Sequence, residues 1–421
     1  MNKVVLMGVF VFISLFFQSK ISIADELSVP SADDSEILVN TFPADGKYLI
    51  IWLPPEYGFR KAHTLFSRSL SESGVEVWQA DIIESLFMLR GAEPLRSLDG
   101  RFIADVIEYA HKTTGKKIIL AGDSYGALAA LTGAHQLQKR VNTKADLVGA
   151  ILFSPYTYAY IPSLGMAPEY MPVISSTNIP LMIYQAKGSG AIGQFDSLLE
   201  LLQKNDNPVY TKYVPEVMSL FYKEEPSKAM LKQAGPLPRN VVKMLSVLDK
   251  HKVPDNAVAL SSRSKSGSGI DIYLKEFKGN VKPIAIELAD VYGNRVVKKD
   301  FKDQITLVNF WATWCGPCVE EIPSLNRLKE KMDGLPFELI SINYAEDKDK
   351  IARFMKQVNV EYPVLLDNDG DFAKQWKVIT YPSTFVIGLD GEIKFGVNAA
   401  IEWDSPELIQ KMESLMKTRK K

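Results

Sequence analysis

The chain has 421 residues, of which 46% are hydrophobic and 24% charged, and its formal net charge is −1. The composition is globular, the length suits two or three domains, and the charge balance supplies no field that would favour nucleic acid or anionic lipid. Only two cysteines occur, three positions apart. Disulfide-stapled secreted domains carry more of them and spread them more widely, so this pair is reserved for chemistry.

The N-terminus reads as an export signal, residues 1–24. Met1-Asn2-Lys3 is a short positive start, Val4 to Phe17 is apolar and uncharged, and Ser22-Ile23-Ala24 offers small residues for cleavage after Ala24. The alternative is a retained anchor, but the apolar run is shorter than the roughly 20 residues a bilayer needs. No cysteine lies near the cut, and no later stretch is apolar for long enough to cross a membrane. The expectation is an exported protein with no span after cleavage, the bacterial periplasm being the expected compartment.

A polar lead runs to roughly Gly46, after which strand and helix patterns alternate and argue for a mainly parallel α/β sheet. Strands are expected at Tyr48–Leu53, Val75–Trp78, Lys117–Ala121, Leu147–Phe153, Pro180–Tyr184 and Val209–Val214. Helices are expected at about Arg60–Ser73, Phe102–His111 and Leu198–Leu202, with Val241–Leu248 in a closing helix.

Gly122-Asp123-Ser124-Tyr125-Gly126 lies between the strand ending at Ala121 and a small-residue helical stretch. A GxSxG sequence in a strand–turn–helix setting is what a nucleophile elbow requires. On these residues the chain from about Lys47 to Leu248 resembles an α/β-hydrolase, a domain placed at 40–252. The resemblance implies Ser124 as candidate nucleophile, yet its partners are missing from their segments. Gln185 to Ser189 holds no carboxylate, and Pro215 to Phe221 holds no histidine. His63, His111 and His135 precede the late strands on apparent helices and are read as surface residues. His251 has the right order in the chain and is the candidate base. The loop Leu53-Pro54-Pro55-Glu56-Tyr57-Gly58 lacks an HGGG pattern, and Pro55 has no N–H to donate.

Ser261 to Gly269 is small and polar, and a flexible linker is expected at 253–280. A second pattern starts near Val281, with strands at Ile284–Leu288 and Thr306–Phe310. The latter runs into Trp314-Cys315-Gly316-Pro317-Cys318. A CxxC pair is either a redox couple or half a zinc site. A structural zinc site needs four ligands, and no second Cys or His pair exists, so neither metal nor cofactor is expected. Ile322, Leu325, Leu328 and Met332 make one helical stripe, which puts Cys315 at a helix N-terminus. There, unpaired N–H groups favour a thiolate, with Cys318 one turn inside as resolving thiol.

Val308 to Cys318 resembles thioredoxin, and more closely the exported TlpA-type thioredoxin-like proteins, a likeness covering roughly Val281 to Met416 within a domain placed at 281–421. Pro323 matches the helix kink, Gly388 to Ile393 the closing hairpin, and Tyr381-Pro382-Ser383-Thr384-Phe385 the loop whose cis-proline, here Pro382, faces the cysteines. Asn309 stands where thioredoxin has a buried aspartate, and Glu321 where TlpA-type proteins carry a glutamate. Two readings of Glu321 stand: a proton shuttle for Cys318, or an acid decorating the first turns of a helix. The resemblance implies a reductant of protein disulfides, recharged by a membrane thiol reductase. Three readings of the whole chain follow: a reductase with a silent hydrolase-like binding domain, a bifunctional enzyme using Ser124, and a docking fusion.

Overall fold

A computed structural model describes residues 25–141, 145–162, 164, 166–215, 217, 219–221, 228–261 and 273–417. The expected export signal at 1–24 lies outside the described residues. The first region contributes β1 (Asp25–Pro30), β2 (Glu36–Phe42), β3 (Tyr48–Leu53), β4 (Glu76–Ala80), β5 (Lys117–Asp123), β6 (Leu147–Phe153), β7 (Leu181–Ala186) and β8 (Val209–Val214). They form one sheet in the order β1-β2-β4-β3-β5-β6-β7-β8. β3 to β8 run parallel, and β1 and β2 are antiparallel additions at one edge.

The central strands are buried on both faces, so β3 reads as an unbroken apolar run rather than an alternating one. The helix Arg101–Thr114 presents Phe102, Ile103, Val106, Ile107 and Ala110 inward at helical spacing. Each larger side chain of that stripe contributes roughly 1.5–3 kcal/mol by burial. With Gly126–Gln138 and Phe195–Leu202 it covers one face of the sheet, while Lys61–Glu72 and Leu237–Leu248 cover the other. The polar lead to Gly46 turns out to hold the β1–β2 hairpin. Ile37, Val39 and Phe42 point inward between exposed Glu36, Leu38 and Asn40, a short half-buried edge whose alternation is diluted by polar residues.

The second region contributes β9 (Lys275–Glu276), β10 (Ile286–Asp290), β11 (Arg295–Lys298), β12 (Ile305–Trp311), β13 (Phe337–Tyr344), β14 (Val364–Asp367), β15 (Ser383–Ile387) and β16 (Ile393–Val397). The sheet order is β11-β10-β14-β13-β12-β15-β16-β9. Helices Gly316–Lys331 and Pro406–Lys417 pack on one face around Leu325, Leu328, Met412 and Trp403. Phe372 and Trp376 pack on the other with Phe310 and Phe385.

The span expected as a linker at 253–280 is tied at both ends. Gln138 Nε2 donates to Pro254 O at 2.8 Å, Asn178 Nδ2 to Asn256 O at 3.0 Å and Ser176 Oγ to Ala259 O at 2.9 Å. His135, expected at the surface, is 7% exposed and meets Val258 O at 2.9 Å. At the far end, β9 pairs with β16. The intervening 262–272 lies outside the described residues.

The two regions also touch directly. Tyr344 Oη donates to Gly188 O at 2.5 Å and Asn398 Nδ2 to Pro162 O at 2.6 Å. Leu164, of the first region, is 7% exposed because it packs into the second region's core. A Cβ on Gly190 would lie 3.1 Å from Tyr156 Oη and 3.2 Å from Ile379 O, so the backbones approach closely there.

Candidate active site

β12 ends at Trp311, and the helix Gly316–Lys331 starts immediately after Cys315, its N-cap. Pro317 opens the first turn, where a missing N–H costs nothing. Cys315 and Cys318 are joined by a disulfide, and Cys315 Sγ accepts from the Cys318 N–H at 3.3 Å. Cys318 is 1% exposed and Cys315 5%, so the first cysteine is the more accessible. Both sit among Trp311, Ala312, Ile322, Ile351, Val364 and Leu366, with Tyr381 against them. Trp314 is exposed beside the pair, its ring 5.9 Å from that of Tyr381. The Tyr381–Pro382 bond is cis.

Glu321 follows Cys318 by one turn on the same helix and is buried. Asn309 Nδ2 donates to its Oε1 at 2.9 Å and Trp403 Nε1 to its Oε2 at 3.0 Å. Burial pushes the carboxyl from 4.5 up to about 7, against the pull of those two donors and of the Ile401 backbone. Asn309 also donates to Thr384 Oγ1 at 2.9 Å, beside Pro382. Asn309, Glu321 and the cis-proline loop are therefore one hydrogen-bonded unit. A surface-decoration role does not fit a carboxyl this enclosed.

A carboxyl whose pKa rises on folding holds its proton more tightly in the native chain. Its stabilising contribution is complete below the unfolded value near 4.5 and lost as pH climbs through about 7. Glu321→Gln should remove that loss, on the order of 3 kcal/mol across the window. Urea unfolding of the oxidised protein at pH 5 and pH 8 measures it. Equal pH dependence in both proteins would refute the assignment.

Sequence reasoning missed three supports. Trp403 lies 82 positions from Glu321, and no local pattern connects them. Thr384 carries no local signal for its bond to Asn309, 75 positions away. Glu346 is buried and accepts from Thr313 N at 2.7 Å and Thr313 Oγ1 at 2.6 Å, pinning the loop that presents the cysteines.

Residues 279–395 match the model of the AhpC/TSA family. Thiol-disulfide oxidoreductase ResA of Bacillus thuringiensis subsp. konkukian is 35% identical over 106 residues, which are 25% of this chain and 61% of that protein. ResA of Bacillus subtilis is 33% identical over 106 residues, 25% of this chain and 59% of that protein. The C-terminal region is similar to thioredoxin-like thiol–disulfide oxidoreductases. The chain spans about three-fifths of the length of these relatives. Among solved structures, StoA from Bacillus subtilis is 25% identical, covering 28% of this chain and 93% of its own, with a TM-score of 0.25. A secreted thiol-disulfide isomerase from Corynebacterium glutamicum is 17% identical, covering 38% of this chain and 98% of its own, with a TM-score of 0.32.

Outside the thioredoxin-like region, Ser124 stands between β5 and the helix Gly126–Gln138 at φ 53°. A Cβ on Gly122 would lie 2.3 Å from Gly126 O, and one on Gly126 2.5 Å from Leu53 O, so both positions exclude a side chain. His251 is not near this turn. Its Nε2 meets Tyr210 Oη at 2.8 Å, and adjacent Asp249 binds Lys47, Tyr48 and Lys117. Those groups mark the starts of β3, β5 and β8, whereas Ser124 follows the end of β5. The strand alone separates them by roughly 20 Å.

His63, expected at the surface, is instead fully buried, stacked on Phe221 at 4.5 Å. Its Nδ1 accepts from the Arg60 N–H at 3.0 Å, which leaves Nε2 to carry the proton toward Asp123 Oδ2 at 3.4 Å. With both ring nitrogens engaged, His63 has no lone pair to offer Ser124.

Proposed function

We propose that the protein is an exported thiol–disulfide oxidoreductase that reduces disulfides in other proteins, carrying an α/β-hydrolase-like region that is silent as a hydrolase and serves binding. The observation that carries the redox reading is the Cys315–Cys318 disulfide at a helix start with Glu321 buried one turn behind. In the reduced protein the Cys315 thiolate attacks a substrate disulfide, forming a mixed disulfide and releasing one substrate thiolate. Cys318 then loses its proton to Glu321 and attacks Cys315 Sγ. The second substrate thiolate departs, and the Cys315–Cys318 bond re-forms, two electrons having passed to the substrate. A carboxyl held near neutrality is suited to accept and return that proton. An external dithiol must reduce the pair for the next cycle, and a membrane thiol reductase is the proposed donor. The periplasm is the proposed compartment.

The Gly316-Pro317 pair favours a reducing rather than an oxidising role by resemblance to thioredoxin. The first sheet's strand order and the elbow at Ser124 support the hydrolase-like reading. The engaged nitrogens of His63 and the distance to His251 support silence.

With dithiothreitol as donor, the protein should precipitate insulin by reducing its interchain disulfides. Cys318→Ser should instead accumulate covalent complexes, dissolved by reductant on gels. Free monomer as the sole product of that variant, under oxidised substrate in excess, would count against a two-cysteine exchange.

A further inference from the structure

The two sheets meet at the ends where their parallel strands finish. On the first, Tyr156 follows β6, and Gly188 and Gly190 follow β7. Ser124, after β5, lies at the same end, and its carbonyl accepts from the Tyr156 N–H at 3.1 Å. On the second, Tyr344 closes β13, and Cys315 follows β12, its parallel neighbour. An open parallel sheet binds its ligands outside the carboxyl ends of its strands. In the first region, part of that place is taken by the thioredoxin-like region.

The contact continues in an unbroken line to the disulfide. Tyr344 is buried, and its Oη donates to Gly188 O at 2.5 Å. Its ring stacks on Tyr381 with centroids 4.6 Å apart, and Tyr381 meets Trp314 edge-on at 5.9 Å. Trp314 immediately precedes Cys315 and is exposed, while Tyr381 precedes the cis-proline and is half-buried. Behind the stack, a Cβ on Gly190 would lie 3.2 Å from Ile379 O and 3.7 Å from the Tyr381 ring, so a larger residue there presses on the cis-proline loop.

A polypeptide disulfide approaching Cys315 crosses the Trp314 and Tyr381 rings, which offer it a flat amphipathic surface. A small hydrophilic disulfide reaches the sulfur without needing them. We propose that Tyr344 is a positioning residue seated on Gly188 and Gly190 of the first region, holding the Tyr381 ring where a polypeptide packs on it and so selecting polypeptide disulfides over small ones. The inference rests on the oxidoreductase reading and deepens it. The Tyr344 hydroxyl is engaged by Gly188 and acts on substrate only through Tyr381. What the first region binds, through the ends of its own strands, is the surface that receives the substrate.

The test compares initial rates of the full-length protein on insulin and on hydroxyethyl disulfide, recharged by dithiothreitol and corrected for dithiothreitol alone. Tyr344→Phe keeps the ring and removes the latch, whereas Gly190→Val pushes on Ile379 and Tyr381 from the first region. In each, kcat/KM for insulin should fall about five- to ten-fold relative to that for the small disulfide, through KM, the worth of one hydrogen bond. Gly190→Ala is the milder wedge if valine prevents folding. An unmoved ratio in Tyr344→Phe and in the wedge variant overturns the proposal. A parallel fall on both substrates also overturns it, because a merely structural defect lowers every thiol reaction together. Failure of the unaltered protein to turn over either disulfide would instead strike the oxidoreductase reading, and the latch would fall with it.

Discussion

Cys315→Ser is expected to lower insulin reduction by at least about a thousand-fold, to the background of dithiothreitol alone. The thiolate is the nucleophile in disulfide exchange, and a serine hydroxyl at neutral pH supplies almost no alkoxide. Cys318 cannot stand in, because it is 1% exposed and lies inside the helix rather than at its N-terminal rim. Thermal stability should be compared with that of the reduced unaltered protein, so that loss of the disulfide is not mistaken for loss of the nucleophile. Undiminished turnover in this variant would remove Cys315 from the mechanism.

Trp403→Ala should cost about 3–5 kcal/mol, the usual range for emptying a large aromatic site in a packed core. Trp403 is fully buried among Leu325, Leu328 and Met412. The conservative variant separates packing from polarity. Trp403→Phe keeps most of the volume but removes the N–H that donates to Glu321 Oε2, leaving a buried acceptor unpaired at about 1–3 kcal/mol. Because that donor favours the ionised form, its loss should move the Glu321 carboxyl further above about 7. Carboxyl-resolved NMR titration of the phenylalanine variant measures this. An unmoved or lowered value would show that Trp403 acts on Glu321 through packing alone.

The redox centre was legible because its chemistry is local. Strand, loop, cysteine pair and helical stripe follow one another from Ile305 to Lys331, and each has a short-range signal. Glu321 was legible by position, but its clamp was not, since Trp403 and Asn309 reach it from other elements. The serine elbow was visible as a pentapeptide in context. The neighbourhood that decides what the serine can do was hidden. His63 belongs to an amphipathic helix whose inward face includes it, and an isolated histidine there carries no mark of burial. The linker was read from composition, which describes its serine- and glycine-rich centre and is blind to carbonyls at 254–259 being held by side chains more than 70 positions away.

Leu164 puts a condition on the thioredoxin-like region that its own sequence does not state. A side chain supplied by the other half of the molecule fills part of the core around Ile286, Phe310 and Phe385. In thermodynamic language, the first region is an intramolecular ligand of the second. Its docking adds to the second region's folding free energy by linkage, and folding of the second region stabilises the docked form by the same amount. The covalent tether keeps that ligand at a fixed effective concentration, independent of how dilute the protein becomes.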